Sequence, residues 1–428
     1  MDRLLVTGGA RLAGTVRVSG AKNSALKLMA ASLLAPGRSV VDNVPRIRDC
    51  SVMAEMLEHL GVSVRLSGGV AELDATTVDD VEAPHELVRQ MRASIVILGP
   101  LLARCGRARV ALPGGDEIGA RPVELHVRGL ERMGATFRSE HGYLVAEAPD
   151  LHGASITLDY PSVTATENLL LAAVRARGTT VIDNAAREPE IADLATFLTA
   201  MGAQVHGAGT STIAVEGVDT LVPAQHTAVP DRIEVGTWAA AAVATLGDIT
   251  VANAQPEHLE LLLTKLTDAG ADVERTDDGL RVSQARRSRA IDFVTLPYPG
   301  IATDFQPILL AMLAVADGTS IVTENVFEGR FLYVGELQRM GADIRTEGHH
   351  AVIRGVPQLS AAPVRALDIR AGMALVIAAL CADGVTDISD VQHIDRGYED
   401  LEGKLAALGA DVRREGDAVV LPDPAATR

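Results

Sequence analysis

The chain has 428 residues, 39 Lys+Arg against 56 Asp+Glu, and a formal net charge of −17 at pH 7. Apolar residues make up 47%, enough for a large core, and at roughly 150 residues per domain the length allows two or three domains. The acidity argues against non-specific nucleic-acid binding, and 3% aromatics leave little for base stacking.

In chain order, one phrase keeps returning: a polar helix ending in Leu, Met or Ala, then Gly, a small residue and a strand. It reads MLEHLGVSV, GLERMGATF, FLTAMGAQV, KLTDAGADV, ELQRMGADI and KLAALGADV. Its glycines are Gly61, Gly134, Gly202, Gly270, Gly341 and Gly409, with spacings of 73, 68, 68, 71 and 68 residues. Glycine after a last helical turn suits the left-handed C′ position. A second phrase lies half a unit away, an apolar helix followed by Gly37, Gly106, Gly178, Gly247, Gly318 or Gly384 and a β-rich strand. Each unit therefore reads as apolar helix, strand, amphipathic helix, strand and hairpin strand. A helix apolar on every side is buried, and an amphipathic one lies between core and solvent. Six such units predict helices gathered inside and sheets outside, in two domains of three units. The break falls near Ala228–Arg232.

Cys50, Cys105 and Cys381 are odd in number and far apart, so they form no disulfide framework and no C-x-x-C motif. The opening MDRLLVTGGA lacks a signal peptide's apolar segment, and the apolar run Ala374 to Ala382 is about half a membrane span. A cytoplasmic protein without membrane insertion is expected. The histidines form no ligand set, so no metal site is expected. No dinucleotide fingerprint or nucleophile elbow is present.

Several short segments carry candidate chemistry. GAKNSALK places Lys22 and Asn23 before a helix, where they can hold an anion or be an ordinary solvated pair. LPGGDEIGARPVELH sets Asp116 between glycines, as in a mobile loop (residues 112–122) or a plain turn. Asp304, in YPGIATDFQP, is a general base or a helix cap. Arg330, Arg370 and Arg396 recur at similar places in the last three units. They are surface ion-pair partners, or they converge on a ligand carboxylate or phosphate.

Together VSGAKNS, GARPVELH, NAAREPEI, PDRIEVGT, TDFQP and HIDRGYE resemble the enolpyruvyl transferases over almost the whole chain. The resemblance implies an α/β fold, a two-domain inside-out α/β barrel of six βαβαββ repeats with the active site in the interdomain cleft. The first domain would span residues 22–229, and the second residues 1–21 and 230–428. The PGGDEIGARP loop resembles the UDP-sugar branch more than the shikimate branch. That branch transfers the enolpyruvyl group of phosphoenolpyruvate to the 3-hydroxyl of UDP-N-acetylglucosamine and releases phosphate, opening peptidoglycan synthesis. Shikimate 3-phosphate, a nucleotide of a natural-product pathway, or ligand binding without catalysis are the alternatives.

The resemblance also implies roles. Lys22, Asn23, Arg121, Arg370 and Arg396 would hold phosphoenolpyruvate. Asn23, Arg92, Arg121, Pro122, Val123, Glu124, Leu125, Ser162, Val163, Asp304 and Val326 would line the UDP-sugar site. Asp304 would deprotonate or orient the sugar hydroxyl, Asp116 would donate a proton, Lys22 and Arg396 would join them in catalysis, and Arg330 and Asp368 would complete the polar cleft. No cofactor is implied. Two departures stand out. Most members carry Cys where this chain has Asp116, so a cysteinyl adduct cannot form there and insensitivity to fosfomycin, which alkylates that thiol, is expected. The family's common Lys-x-Ser-Val-Gly phrase here runs from Tyr160 to Thr164.

Overall fold

The computed structural model describes residues 2–112 and 123–416. These divide into two compact units, residues 20–112 with 123–229, and residues 2–19 with 230–416. Six apolar helices organise them: α1 (Lys22–Ala31), α2 (Leu98–Cys105), α3 (Val163–Ala173), α4 (Arg232–Ala244), α5 (Phe305–Leu313) and α6 (Ile369–Leu380). Their residues are dominated by Ala, Leu and Met, which lose little freedom in a helix. Every residue of α5 and α6 is buried. Within its unit α5 packs on both α4 and α6, while α2 packs on α3 and on the Ser32–Leu34 turn that follows α1. The α2–α3 approach is close enough to require Gly99, since a Cβ there would lie 2.4 Å from the Asn168 carbonyl oxygen. Each unit has its own continuous apolar core.

Three four-stranded sheets belong to each unit, all built on one plan. In the fourth repeat Asp272–Thr276, Gly279–Ser283 and Asp248–Ala252 run antiparallel in that order, and Ala13–Arg17 adds a parallel edge strand. One face of each sheet is covered. Ile249 and Val251 are fully buried, while Asp248, Thr250 and Ala252 between them are not. This is the period-two alternation of a half-covered sheet.

Strands distant in sequence finish both units. Gln225–Thr227 pairs in parallel with Arg38–Asp42 and completes the sheet of the first repeat. The sixth repeat differs from its expected local hairpin. Its strand Val412–Glu415 pairs antiparallel with Arg3–Thr7, which also pairs with Val385–Ser389. The chain's first strand thus occupies the place that the hairpin's return strand fills in the other five units. The helical counterparts of the repeats are Arg48–His59, Glu124–Arg132, Pro189–Ala200, Glu260–Asp268, Val334–Arg339 and Leu401–Ala407. The six glycines that follow them all have φ between 88° and 102°. In the second glycine series one member departs: Leu246, with φ 54°, takes the left-handed position beside Gly247. Among the described residues no helix is long and apolar enough to cross a membrane, and no group of three or more His, Cys, Asp or Glu could hold a metal ion.

Buried helices need their end groups satisfied. At the end of α5, Arg287 donates to the carbonyls of Val315 (2.8 Å), Ala316 (2.7 Å) and Gly355 (3.0 Å). In the other unit Arg104 does the same for Leu33 (2.8 Å) and Ala75 (2.7 Å). The core of α3 also holds a carboxylate. Glu167 is fully buried, with Lys27 Nζ 3.4 Å away. Burial pushes the Glu167 pKa from 4.5 up to about 7, against the pull of Lys27 and with help from Glu190 and Glu188.

Two outcomes are expected. Arg287→Met removes three charge-assisted bonds and should lower the unfolding free energy by about 1.5–3 kcal/mol, read by urea denaturation. For Glu167 the folded pKa lies above the unfolded one, so the native state holds the extra proton between them. Its contribution is present at low pH and declines as pH rises through 7. The stability of Glu167→Gln relative to wild type should therefore improve from pH 5 to pH 8; a difference that is flat or falls would contradict this.

Candidate active site

Within each unit, several of the candidate residues stand where the apolar helices begin. Lys22 opens α1, which has no side-chain cap and no acidic residue in its first turn. Such a helix start favours an anion. Lys22 is not a solvated surface lysine: it is 8% exposed, and its Nζ lies 2.7 Å from Asp49 Oδ2, in the first turn of Arg48–His59. Asn23 is half-buried, and its carbonyl accepts from Lys27 Nζ at 2.7 Å. The first half of α1 therefore carries two lysines with different duties, one paired to Asp49 and one turned inward to Glu167.

Arg92 is half-buried at the start of the 3-10 turn Arg92–Ile97, which runs into α2. Burial, and then the charge of Arg92, hold the His126 pKa down to about 4. The neutral ring accepts from Asn168 Nδ2 at Nδ1 (2.8 Å), and its Nε2 lies 3.4 Å from Thr164 Oγ1. Asn168 also donates to the Ile95 carbonyl (2.9 Å) and accepts from Gly99 N (2.8 Å). This network joins the helix Glu124–Arg132 to the starts of α2 and α3. Val123 precedes that helix, Glu124 is exposed and Leu125 half-buried. Ser162 caps α3 by accepting from Ala165 N (3.4 Å), and Val163 is its first residue. Thr164, where the family phrase has Gly, meets His126. Asp116, Arg121 and Pro122 lie outside the described residues.

In the other unit Asp304 precedes α5 and makes no side-chain cap bond. Two arginines hold it instead. Arg370 Nε is 2.9 Å from Oδ2 and Arg330 Nη2 is 3.3 Å from Oδ1. The Asp304 side chain stays 28% exposed, whereas those of Arg330 and Arg370 are 3% and 5% exposed. The structure thus brings these three together and rules out simple surface ion pairs for Arg330 and Arg370. Among the described residues Arg370 Nη1 and Arg330 Nε are buried without a hydrogen-bond partner. Burial works against the Arg370 charge, but neighbouring Tyr398, Asp304 and Asp231 outweigh it and the net shift is upward.

Asp368 caps α6, accepting at Oδ1 from Arg370 N (2.8 Å) and Ala371 N (2.9 Å), so it fixes the backbone from which Arg370 projects. Arg396 is half-buried and ends the 3-10 turn Val391–Arg396. The next two residues pack toward Arg370. Tyr398 holds its ring 5.4 Å from the guanidinium, and its hydroxyl lies 3.1 Å from Thr237 Oγ1. Val326 is half-buried and donates its N–H to Glu324 Oε1 at 2.7 Å.

Sequence reasoning missed Asp49, His126, Asn168, Glu324 and Tyr398. Asp49 carries no motif signal, because its partner is 27 residues away in sequence. Tyr398 lies inside HIDRGYE, and its proximity to a recurring arginine was the one available signal.

A family description, EPSP synthase (3-phosphoshikimate 1-carboxyvinyltransferase), matches residues 6–405. The UDP-N-acetylglucosamine 1-carboxyvinyltransferase of Corynebacterium jeikeium (strain K411) is 56% identical over 413 residues, covering 96% of this chain and 99% of that protein. The protein of the same name from Mycobacterium tuberculosis (strain CDC 1551 / Oshkosh) is 55% identical over the same shares. Among solved structures, the enolpyruvyl transferase NikO from Streptomyces tendae has a TM-score of 0.86 at 29% identity, over 96% of this chain and 98% of that one. An EPSP synthase from Acinetobacter baumannii has a TM-score of 0.76 at 17% identity over 97% of this chain and all of that one, a likeness of fold alone. The chain belongs to the EPSP synthase family of enolpyruvyl transferases.

Proposed function

We propose that this chain transfers the enolpyruvyl group of phosphoenolpyruvate to the 3-hydroxyl of UDP-N-acetylglucosamine and releases inorganic phosphate, the first committed step of peptidoglycan synthesis. The near-full-length identity to relatives of that name supports the acceptor. The observation that carries the chemistry is the exposed edge of Asp304 between two buried arginines with spare donors. Each guanidinium orients one carboxylate oxygen, and a partly exposed carboxylate held in this way is suited to accept a hydroxyl proton.

In this reading Asp116 gives a proton to C3 of phosphoenolpyruvate, which makes C2 electrophilic. The sugar hydroxyl oxygen bonds to C2 while its proton passes to Asp304. The product is a tetrahedral phospho-ketal. Loss of a proton from C3 and of phosphate from C2 then leaves the enol ether. Lys22, Asn23, Arg121, Arg370 and Arg396 hold the phosphate and carboxylate of phosphoenolpyruvate, where fixed cations stabilise developing charge. Arg92, the segment 121–125, Ser162, Val163 and Val326 hold the UDP-sugar, with Arg330 and Asp368 supporting Asp304 and Arg370.

Phosphate release tests this directly. Incubation with phosphoenolpyruvate should release phosphate with UDP-N-acetylglucosamine; release only with shikimate 3-phosphate or another nucleotide would replace the acceptor, and none with any acceptor would remove the enzyme reading. Asp116→Asn should lose turnover by at least about a hundredfold, the usual worth of a positioned proton donor, while its thermal transition stays put. Wild type should show no covalent fosfomycin adduct by intact mass. Asp116→Cys should keep turnover and acquire that adduct.

A further inference from the structure

Glu324 is 1% exposed, and among the described residues it has no ion-pair partner. A buried carboxylate without a cation is costly unless several donors satisfy it. Four donors do so here. Oε1 accepts from Thr295 Oγ1 (2.8 Å), Val326 N (2.7 Å) and Phe327 N (3.1 Å), and Oε2 accepts from Thr303 Oγ1 (2.9 Å). These donors come from three separate stretches of chain. Two of the stretches carry the proposed chemistry: Thr303 immediately precedes Asp304, and the Val326–Phe327 turn leads to Arg330, whose backbone N–H donates to the Phe327 carbonyl at 3.3 Å. The Arg330 side chain then returns to Asp304. A loop is closed through one carboxylate, from Thr303 through Glu324 to the turn, through Arg330, and back to Asp304.

We infer that Glu324 is a positioning residue for the hydroxyl-transfer half of the reaction: it fixes Asp304 through Thr303 and fixes the Val326 backbone and Arg330 through the turn. A carboxylate suits this because its two oxygens accept in several directions at once, whereas an apolar residue of the same size would leave two backbone N–H groups and two hydroxyls unpaired. The inference rests on the enolpyruvyl transfer proposed above. Glu324 acts on Asp304 and the Val326 backbone, while Arg370, which shares Asp304 and is assigned to phosphoenolpyruvate, keeps its own supports in Asp368 and Tyr398, so the binding of phosphoenolpyruvate should change little.

The test is steady-state kinetics of the full chain, varying each substrate, on Glu324→Ala, Glu324→Gln, Thr303→Val and the double variant Thr303→Val/Glu324→Ala. Glu324→Ala should lower kcat tenfold or more and raise KM for UDP-N-acetylglucosamine, with KM for phosphoenolpyruvate within twofold of wild type. Glu324→Gln, which can still accept from the turn and donate to Thr303, should recover to within threefold of wild type. Thr303→Val should lower kcat and leave the sugar KM unchanged, because the arm to Val326 stays intact. The double variant should be no worse than Glu324→Ala, since both act through one linkage. Wild-type kinetics in a folded Glu324→Ala, equal rises in both KM values, or additive losses in the double variant would overturn the inference. Should Glu324→Ala not fold, wild-type kcat in folded Thr303→Val overturns it alone. A wild-type chain that releases no phosphate with this acceptor removes the function and the inference together, an outcome distinct from active wild type with unaffected variants.

Discussion

A helix that is apolar on all sides has to be surrounded, and most of this architecture follows from that requirement. The sheets lay their apolar faces over α1 to α6 and turn their polar faces outward. The helix flanks are then mostly apolar, with Lys27, Glu167 and Asn168 as buried exceptions. Most of the other polar groups stand at the ends, and each helix has two kinds of end. At the C-terminal ends in the two units Arg104 and Arg287 answer carbonyls that no further turn can answer. At the starts stand Lys22, Arg92 in the turn before α2, Ser162, Asp231, Asp304, and Asp368 with Arg370. The proposed chemistry therefore occupies the helix starts, where the dipole gives a positive field and where Ser162, Asp231 and Asp368 already pair some of the first N–H groups.

The net charge of −17 tells little about these places. Lys22, Lys27, Arg330 and Arg370 are all buried, and each is faced by a carboxylate: Asp49, Glu167 and, for both arginines, Asp304. The pairings are unequal in what they leave over. Two guanidinium groups share Asp304, and among the described residues each keeps a buried nitrogen without a hydrogen-bond partner. Such an excess of donors suits a ligand that brings acceptors of its own, as phosphate and carboxylate do.

How much of this was legible in the sequence depends on how far apart the partners lie. The repeats were plain because each is local: helix, glycine and strand sit within one phrase, and the six C′ glycines have the left-handed φ that the phrase predicts. Lys22, Asp304, Arg330 and Arg370 stood out through motifs, although a motif could not decide between a capping role for Asp304 and its clamp by two arginines. Asp49 and Glu324 were invisible, and Tyr398 was marked only by its place in HIDRGYE, because their meaning lies in partners brought close only by folding. The replacement of the sixth hairpin strand was hidden for the same reason: Arg3 and Glu415 are register partners at opposite ends of the chain.

That last pairing sets an order of events during synthesis. Residues 20–229 carry every strand of their three sheets, and the last to be made, Gln225–Thr227, closes the first. This half can assemble as soon as it leaves the ribosome. The other half cannot. Arg3–Thr7 and Ala13–Arg17 emerge first but pair with Val385–Ser389, Val412–Glu415 and Asp248–Ala252. At a translation rate of roughly 5–20 residues per second, the first strand waits on the order of 20–80 s for its neighbours.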